Sequence, residues 1–240
     1  MRNIVKEKPT DSLHGRTLYN TEFVDDSDIK NKTVLDVGCG FGWFELNALQ
    51  REAAHITGTE ISKEDLETAR RYIENDKIDF NVGNAINLPF KDQSFDTVVS
   101  WEVIEHIPKN TEDKMFKEVN RVLKFAGVFY MSTPHKSFFS NIFDPAWWLI
   151  GHRHYSRNQL VSLAKNNGFR AEKAVVNGGW WEIIGINNLY IAKWIFRRRA
   201  FFEKFINKMQ DVVGNNAKWP KKDNDYVPLF LIVFNSSFDK

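Results

Sequence analysis

VLDVGCGFGW, Val34 to Trp43, is the stretch on which the reading of this chain turns. Val34, Leu35 and Val37 form a short apolar run suited to a strand, and Gly38, Gly40 and Gly42 follow at two-residue spacing. Glycine tolerates the left-handed backbone of a tight turn and, having no Cβ, lets a ligand touch the main chain. The stretch therefore predicts a strand, a glycine-rich turn and a helix starting near Phe41 or Gly42. Turns of this kind also bind dinucleotides, whose GxGxxG fingerprint uses a third glycine for close helix packing. Here that position is Trp43, the run is GxGxG, and Asp36 stands two residues before the first glycine.

Outward from this turn, short β-branched runs alternate with amphipathic stretches, the pattern of a mostly parallel sheet flanked by helices. Strands are expected at Thr33–Val37, Ile56–Glu60, Asp79–Val82, Phe95–Trp101, Val128–Ser132, Ala171–Val176 and Leu229–Asn235. Ser62 followed by Glu64 and Asp65 reads as a capped start for a helix over Lys63–Glu74. A second helix runs from Thr111 through Leu123. Ser156 with Gln159 is a capping-box pattern, and Gly168 supplies the stop for a helix over Asn158–Asn167. The stretch between the last two strands is too long for a hairpin loop and must hold structure of its own.

The length, 240 residues, suits one domain better than two small ones. Lys and Arg total 33 against 31 Asp and Glu, so no global field draws the chain to nucleic acid. The one cysteine, Cys39, excludes an intramolecular disulfide framework and fits a reducing compartment as a small buried residue. Met1 to Asp11 is polar, and no apolar run reaches about 18 residues. The expectation is a cytoplasmic protein, with peripheral membrane contact left open.

The glycine turn resembles motif I of the class I S-adenosylmethionine (SAM)-dependent methyltransferases, of the methyltransferase type 11 kind. The resemblance extends over about Thr33 to Gly168. It implies a Rossmann-like α/β three-layer sandwich: a seven-stranded, mostly parallel sheet with an antiparallel last strand, and here a helical insertion near the C-terminus. It implies a single SAM-dependent methyltransferase domain over 1–240, with 1–30 as an N-terminal cap region and 136–155 and 177–227 as acceptor-side insertions. In the resemblance Asp36 orients the loop and meets the methionine end of SAM, Gly38 and Gly40 allow its close approach, and Phe41 adjoins it. Glu60, at the end of the second strand in GTEIS, can accept both ribose hydroxyl protons, with Ile61 beside it. Asn84 and Ala85, in GNAINLPF, match the adenine-contacting positions; many members carry Asp at the first, so an acceptor remains but a charge is lost. Trp101 closes the fourth strand, which lines the pocket. Arg16 and Tyr19, ahead of the first strand, are placed to pair with the methionine carboxylate and to cover the pocket, or else belong to an ordinary surface helix.

SAM carries an electrophilic methyl, so transfer requires in-line approach and removal of a proton when the acceptor is a hydroxyl. After the fourth strand the chain offers Glu102, Glu105 and His106, which share one face if the segment is helical. His106 is the candidate general base, since imidazole titrates near working pH; a packing role is the alternative. The ExxEH pattern also resembles that of ubiquinone-biosynthesis O-methyltransferases and small-RNA 2′-O-methyltransferases, where carboxylates and imidazoles hold a divalent metal. Glu102, Glu105 and His106 are thus metal candidates, with His152, Arg153, His154 and His135 following later. A metal is not favoured.

Acceptor choice is expected from the departures from the family core. One is Phe138 to His154, with Phe138, Phe139, Phe143, Trp147 and Trp148. The other is the long insertion, with Trp180, Trp181, Ile183, Ile184, Ile186, Leu189, Ile191, Trp194, Ile195 and Phe196, then Arg197 to Arg199 and Phe201, Phe202 and Phe205. This density reads as a lid over an apolar or lipid-linked acceptor, as a dimer face, as core, or as a basic aromatic helix over Asn188–Met209 lying on a membrane. The leading function is methyl transfer to an oxygen of a small, apolar or lipid-linked molecule. The alternatives are an RNA 2′-O-methyltransferase-like enzyme and a non-catalytic SAM-binding or interaction protein; an NAD oxidoreductase is disfavoured by Trp43.

Overall fold

Side chains alternate across a strand, so a strand buried on both faces must be apolar at consecutive positions. In the computed structural model, which describes residues 7–136, 142, 144–177, 180–216 and 229–236, that rule assigns each face its core. The strands are β1 (Thr33–Val37), β2 (His55–Glu60), β3 (Ile78–Val82), β4 (Phe95–Trp101), β5 (Leu123–Pro134), β6 (Phe169–Asn177) and β7 (Leu229–Ser236). Leu35, Val98, Phe129, Ile232 and Phe234 face one core, and Val34, Val99, Tyr130, Leu231 and Val233 face the other. The first core is covered by α4 (Glu112–Val122) through Met115, Phe116 and Val119, and by α6 (Arg157–Asn166) through Leu160 and Ala164. The second is covered by α1 (Gly15–Phe23), α2 (Trp43–Gln50) and α3 (Lys63–Tyr72), through Tyr19, Phe44 and Leu66.

The sheet order is β3-β2-β1-β4-β5-β7-β6. β1 to β5 pair in parallel, and β7 is antiparallel to both β5 and β6. This is the Rossmann-like three-layer sandwich with an antiparallel last strand. The strand order reverses between β1 and β4, and ligands in such sheets bind outside the carboxyl ends of the strands at that switch point.

Expected caps form where the sequence signals them. Ser62 Oγ accepts from the Asp65 amide at the start of α3, and Ser156 and Gln159 make a reciprocal capping box on α6. The first helix after the glycine turn begins at Trp43, with Gly42 as its N-cap, a residue or two later than expected.

Two readings that the sequence left open are decided by the structure. Residues 102–106 form a turn instead of a helix, with Glu102 in the left-handed region at φ 57°. The continuous helix over Asn188–Met209 is broken. The insertion holds α7 (Trp180–Tyr190), one π turn (Ile191–Ile195), a connector, and α8 (Glu203–Asn216). Asn188 causes the break: its Nδ2 donates to Phe201 O and its Oδ1 accepts from Phe201 N–H at 3.1 Å, folding the chain back. Arg197 and Phe202 take up the reversal at φ 49° and 51°. Phe138, Phe139 and Phe143 lie outside the described residues. A short helix, α5 (Pro145–Ile150), follows them.

Candidate functional site

The carboxyl end of β1 runs into the glycine turn, which is fastened to β2 by Gly38 and Cys39 amides donating to Thr59 O at 2.7 and 3.1 Å. Gly38 and Gly40 both need positive φ, at 83° and 53°, but for different ends. A Cβ on Gly38 would come within 2.4 Å of Val103 Cγ2, so this glycine packs the turn against the segment after β4. A Cβ on Gly40 would meet nothing within 4 Å, so this one borders open space. Glu60, at the end of β2, points into the same region: Oε2 accepts from Gly40 N–H at 3.4 Å, and Oε1 accepts from the Ile61 and Ser62 amides at 2.7 and 3.1 Å. Ile61 beside it is 68% exposed, an apolar surface at the mouth of the crevice. Asn84, after β3, accepts from the Ile86 amide through Oδ1, and Ala85 is buried. Trp101 ends β4, buried, with its ring against Phe44 and its Nε1 without a hydrogen-bond partner. Phe41 is half-buried in the turn itself.

Beneath the loop lies an acidic pair. Asp36 is buried with Oδ1 unpartnered, and burial, then Glu45 and Glu60, push its carboxyl well up. Glu45, in the first turn of α2, has both carboxylate oxygens buried and unpartnered, and burial pushes it up to about 8. An open-edged glycine cradle, an orphaned carboxylate oxygen and an apolar ledge fit a cationic, nucleoside-bearing ligand such as SAM.

The carboxyl end of β4 supplies a second group. Arg153 fixes the turn after β4, donating from Nη2 to Ile104 O and Ile107 O and from Nη1 to Glu112 at 2.6 Å. That turn carries Glu105, buried, with Oε2 accepting from Thr133 Oγ1 at 3.1 Å and Oε1 unpartnered. Burial, then Glu102, push its carboxyl well up. His106 is exposed as a residue, yet its imidazole is desolvated against neighbours and lies beside His152, their Nε2 atoms 3.1 Å apart. Desolvation and then His152 push it down to about 4, leaving it neutral near pH 7. Asp144 stands behind, 3.4 Å from His152 and 2.8 Å from His154. Burial alone would raise the Asp144 carboxyl, but its bonds with those histidines and the Ala146 amide hold it below its usual range.

The expected grouping of Glu102, Glu105 and His106 does not form. Glu105, His106 and His152 each offer a ligand atom within 4.8 Å of the others, as do Asp144, His152 and His154. Glu102 turns away to Arg16, its Oε2 accepting from Nη1 at 2.5 Å, because the segment is a turn and not a helix. Arg16 also donates from Nε to Glu182 Oε1 at 2.8 Å, and Tyr19 donates to Gln210 O at 2.6 Å. Both cap residues are thus engaged by the insertion. Glu182 and Gln210 carry this engagement, and Asp211 holds His14 and Gly15 beside it; sequence reasoning missed these three, as it missed Glu45 under the loop and Asp144 behind the histidines. Trp147 packs on His154 at 4.8 Å, while Trp148 is 69% exposed.

A glycine turn at the β1/β4 switch point, edged by a strand-end Glu on β2, is the arrangement with which Rossmann-like folds bind an adenosyl group. Residues 35–131 match the family model described as a methyltransferase domain. Over 189 residues the chain is 26% identical to the ubiquinone biosynthesis O-methyltransferase of Pelagibacter ubique (strain HTCC1062), covering 71% of this chain and 77% of that protein. It is 34% identical over 102 residues to norajmaline N-methyltransferase of Rauvolfia serpentina, covering 41% of this chain but only 34% of that one. A SAM-dependent methyltransferase from Mesorhizobium loti superposes with a TM-score of 0.62 at 16% identity, over 92% of this chain and 97% of that one. Over that matched core the chain is similar to SAM-dependent methyltransferases. No described helix is long and apolar enough to cross a membrane.

Proposed function

We propose that the chain transfers the methyl group of SAM to a hydroxyl oxygen of a small, apolar or lipid-linked acceptor. The observation that carries this reading is the placement of a neutral imidazole, His106, after β4, in the segment that packs against the donor loop through Val103 and Gly38. Bound SAM supplies an electrophilic methyl on a sulfonium. Gly40 and Phe41 would leave room for it, Gly38 would hold the turn against the segment after β4 and so shape that space, Asp36 would face its methionine end, and Glu60 would exchange its backbone amide partners for the ribose hydroxyls. Ile61, Asn84, Ala85 and Trp101 line the adenine and the pocket wall. With SAM bound, His106 would take the acceptor's proton, and the cofactor would supply the methyl group to the oxygen and leave as S-adenosylhomocysteine (SAH). Tyr19 and Arg16 close the cap by holding the insertion over this side.

The oxygen reading draws support from the O-methyltransferase relative in Pelagibacter, and the apolar reading from the aliphatic and aromatic residues of the insertion. The test is SAH release by the purified chain with a panel of quinols, isoprenoid precursors, lipid-carried sugars and short RNAs. Release with a quinol or lipid-linked hydroxyl, unaffected by a metal chelator, is the expected result. Release only with RNA, or tight SAH binding without turnover on any acceptor, refutes it.

A further inference from the structure

The segment joining α7 to α8, with the first turns of α8, exposes apolar and cationic side chains together. Ile195 is 70% exposed, Phe196 57%, Phe202 82% and Phe205 56%. Interleaved with them, Arg197, Arg198, Arg199, Lys204 and Lys208 are all exposed, against one acid, Glu203. Among the described residues none of these five cations makes an ion pair; Arg198 lies over the ring of Phe201 at 4.6 Å. The exposure does not come from looseness. Asn188 clamps both backbone groups of Phe201, the Arg198 amide donates to Ala192 O at 3.1 Å, Lys193 pairs with Glu7 at 2.8 Å, and Ala192 and Ile206 are buried. The chain holds apolar side chains outward on a fixed turn.

We infer that this turn, residues 191–208, docks on an anionic lipid surface. Apolar side chains enter the boundary between headgroups and acyl chains while flanking cations meet anionic lipid, and each signal alone binds weakly. Charge argues against a second copy as the occupant: a two-fold contact sets each patch on itself, bringing Arg197, Arg198 and Arg199 against their own copies. Nucleic acid is a poorer match: Phe196, Phe202 and Phe205 could stack on bases, but Ile191 and Ile195 beside them, 44% and 70% exposed, gain nothing from a base and are suited to acyl chains. The turn lies at the far end of α7 from Glu182, which holds Arg16. A docked chain would therefore present the insertion side to the bilayer.

The experiment is vesicle co-sedimentation of the full chain, using phosphatidylcholine alone or with about one third phosphatidylglycerol. The chain should pellet with the anionic vesicles and stay in solution with phosphatidylcholine alone. Replacing Ile195 and Phe202 together by Ser should weaken binding about tenfold or more. Arg197→Gln, Arg198→Gln and Arg199→Gln should each weaken it about fivefold, an effect that added salt mimics. SAH affinity should stay at the parent value in all variants, since none touches the donor loop; that readout separates loss of docking from loss of fold and from any failure of the acceptor assignment. Three results overturn the inference: no pelleting with anionic vesicles, a concentration-dependent dimer abolished by Phe202→Ser, or tighter binding to single-stranded RNA than to vesicles.

Discussion

Arg16→Met tests the contact that ties the cap to the insertion. Arg16 donates to Glu102 on one side and to Glu182 on the other, and Glu182 is 4% exposed, with its second oxygen accepting from Gln210 Nε2 at 3.0 Å. Burial works to lower the guanidinium's affinity for its proton, yet Glu102 and Glu182 outweigh it, while burial raises the Glu182 carboxyl despite Arg16. Each ion is expensive to desolvate and is tolerated because of the other. Removing one partner of a buried pair costs about 3–5 kcal/mol, because the remaining charge is stranded. Glu102, at 22% side-chain exposure, can recover water; Glu182 cannot, so the low end of that range applies, about 3 kcal/mol. Glu182→Met strands Arg16 between one carboxylate and solvent and should cost about 2 kcal/mol. The double variant should cost less than the sum of the two, leaving a coupling energy of about 2 kcal/mol in a cycle read by urea unfolding. Single costs below about 1 kcal/mol that add to within about 0.5 kcal/mol would refute the reasoning.

Glu45 gives a pH signature. Its carboxyl rises from 4.5 to about 8 on folding, so the folded state holds an extra proton across that window and the chain loses stability as pH climbs through it. Glu45→Gln removes the loss and should gain roughly 4 kcal/mol relative to the parent at pH 9 over pH 5; an equal difference in melting temperature at both pH values rules this out. Gly40→Arg should abolish SAH binding by filling open space, and Glu60→Ala should weaken it about tenfold or more by calorimetry; unchanged affinity in both overturns the cofactor site. His106→Ala should lower turnover far more than SAH affinity, whereas equal losses point to packing alone.

The donor side was legible because it is built from contiguous segments. Val34 to Trp43 encodes strand, turn and helix start in one window, and Glu60 follows at the next strand end. Boundaries around the loop shifted by only a residue or two, as at Trp43 and Tyr72, whereas β5 begins five residues ahead of the expected Val128, at Leu123. Glu45 escaped notice because a glutamate in a helix's first turn reads as a solvated residue favoured by the helix dipole. Its burial depends on Gly58, where a Cβ would come within 2.4 Å of Glu45 Oε1, and no local pattern links the two. The acceptor side rests on contacts between residues far apart in sequence. Arg16 reaches Glu102 and Glu182 across 86 and 166 residues, and His14 reaches Asp211 across 197. Glu102 pairs with Arg16 from a left-handed turn, close enough to act on Glu105 by its charge but outside the ligand-atom group that Glu105 and His106 form with His152, so the helical face does not form. The same limit explains the insertion. Apolar and basic residues from Asn188 to Met209 match a helical period, but Asn188 satisfies the backbone of Phe201 instead of facing solvent. The chain folds back where the sequence also allowed a continuous helix, and what survives of that alternative is its chemistry, apolar and cationic side chains together on an exposed turn.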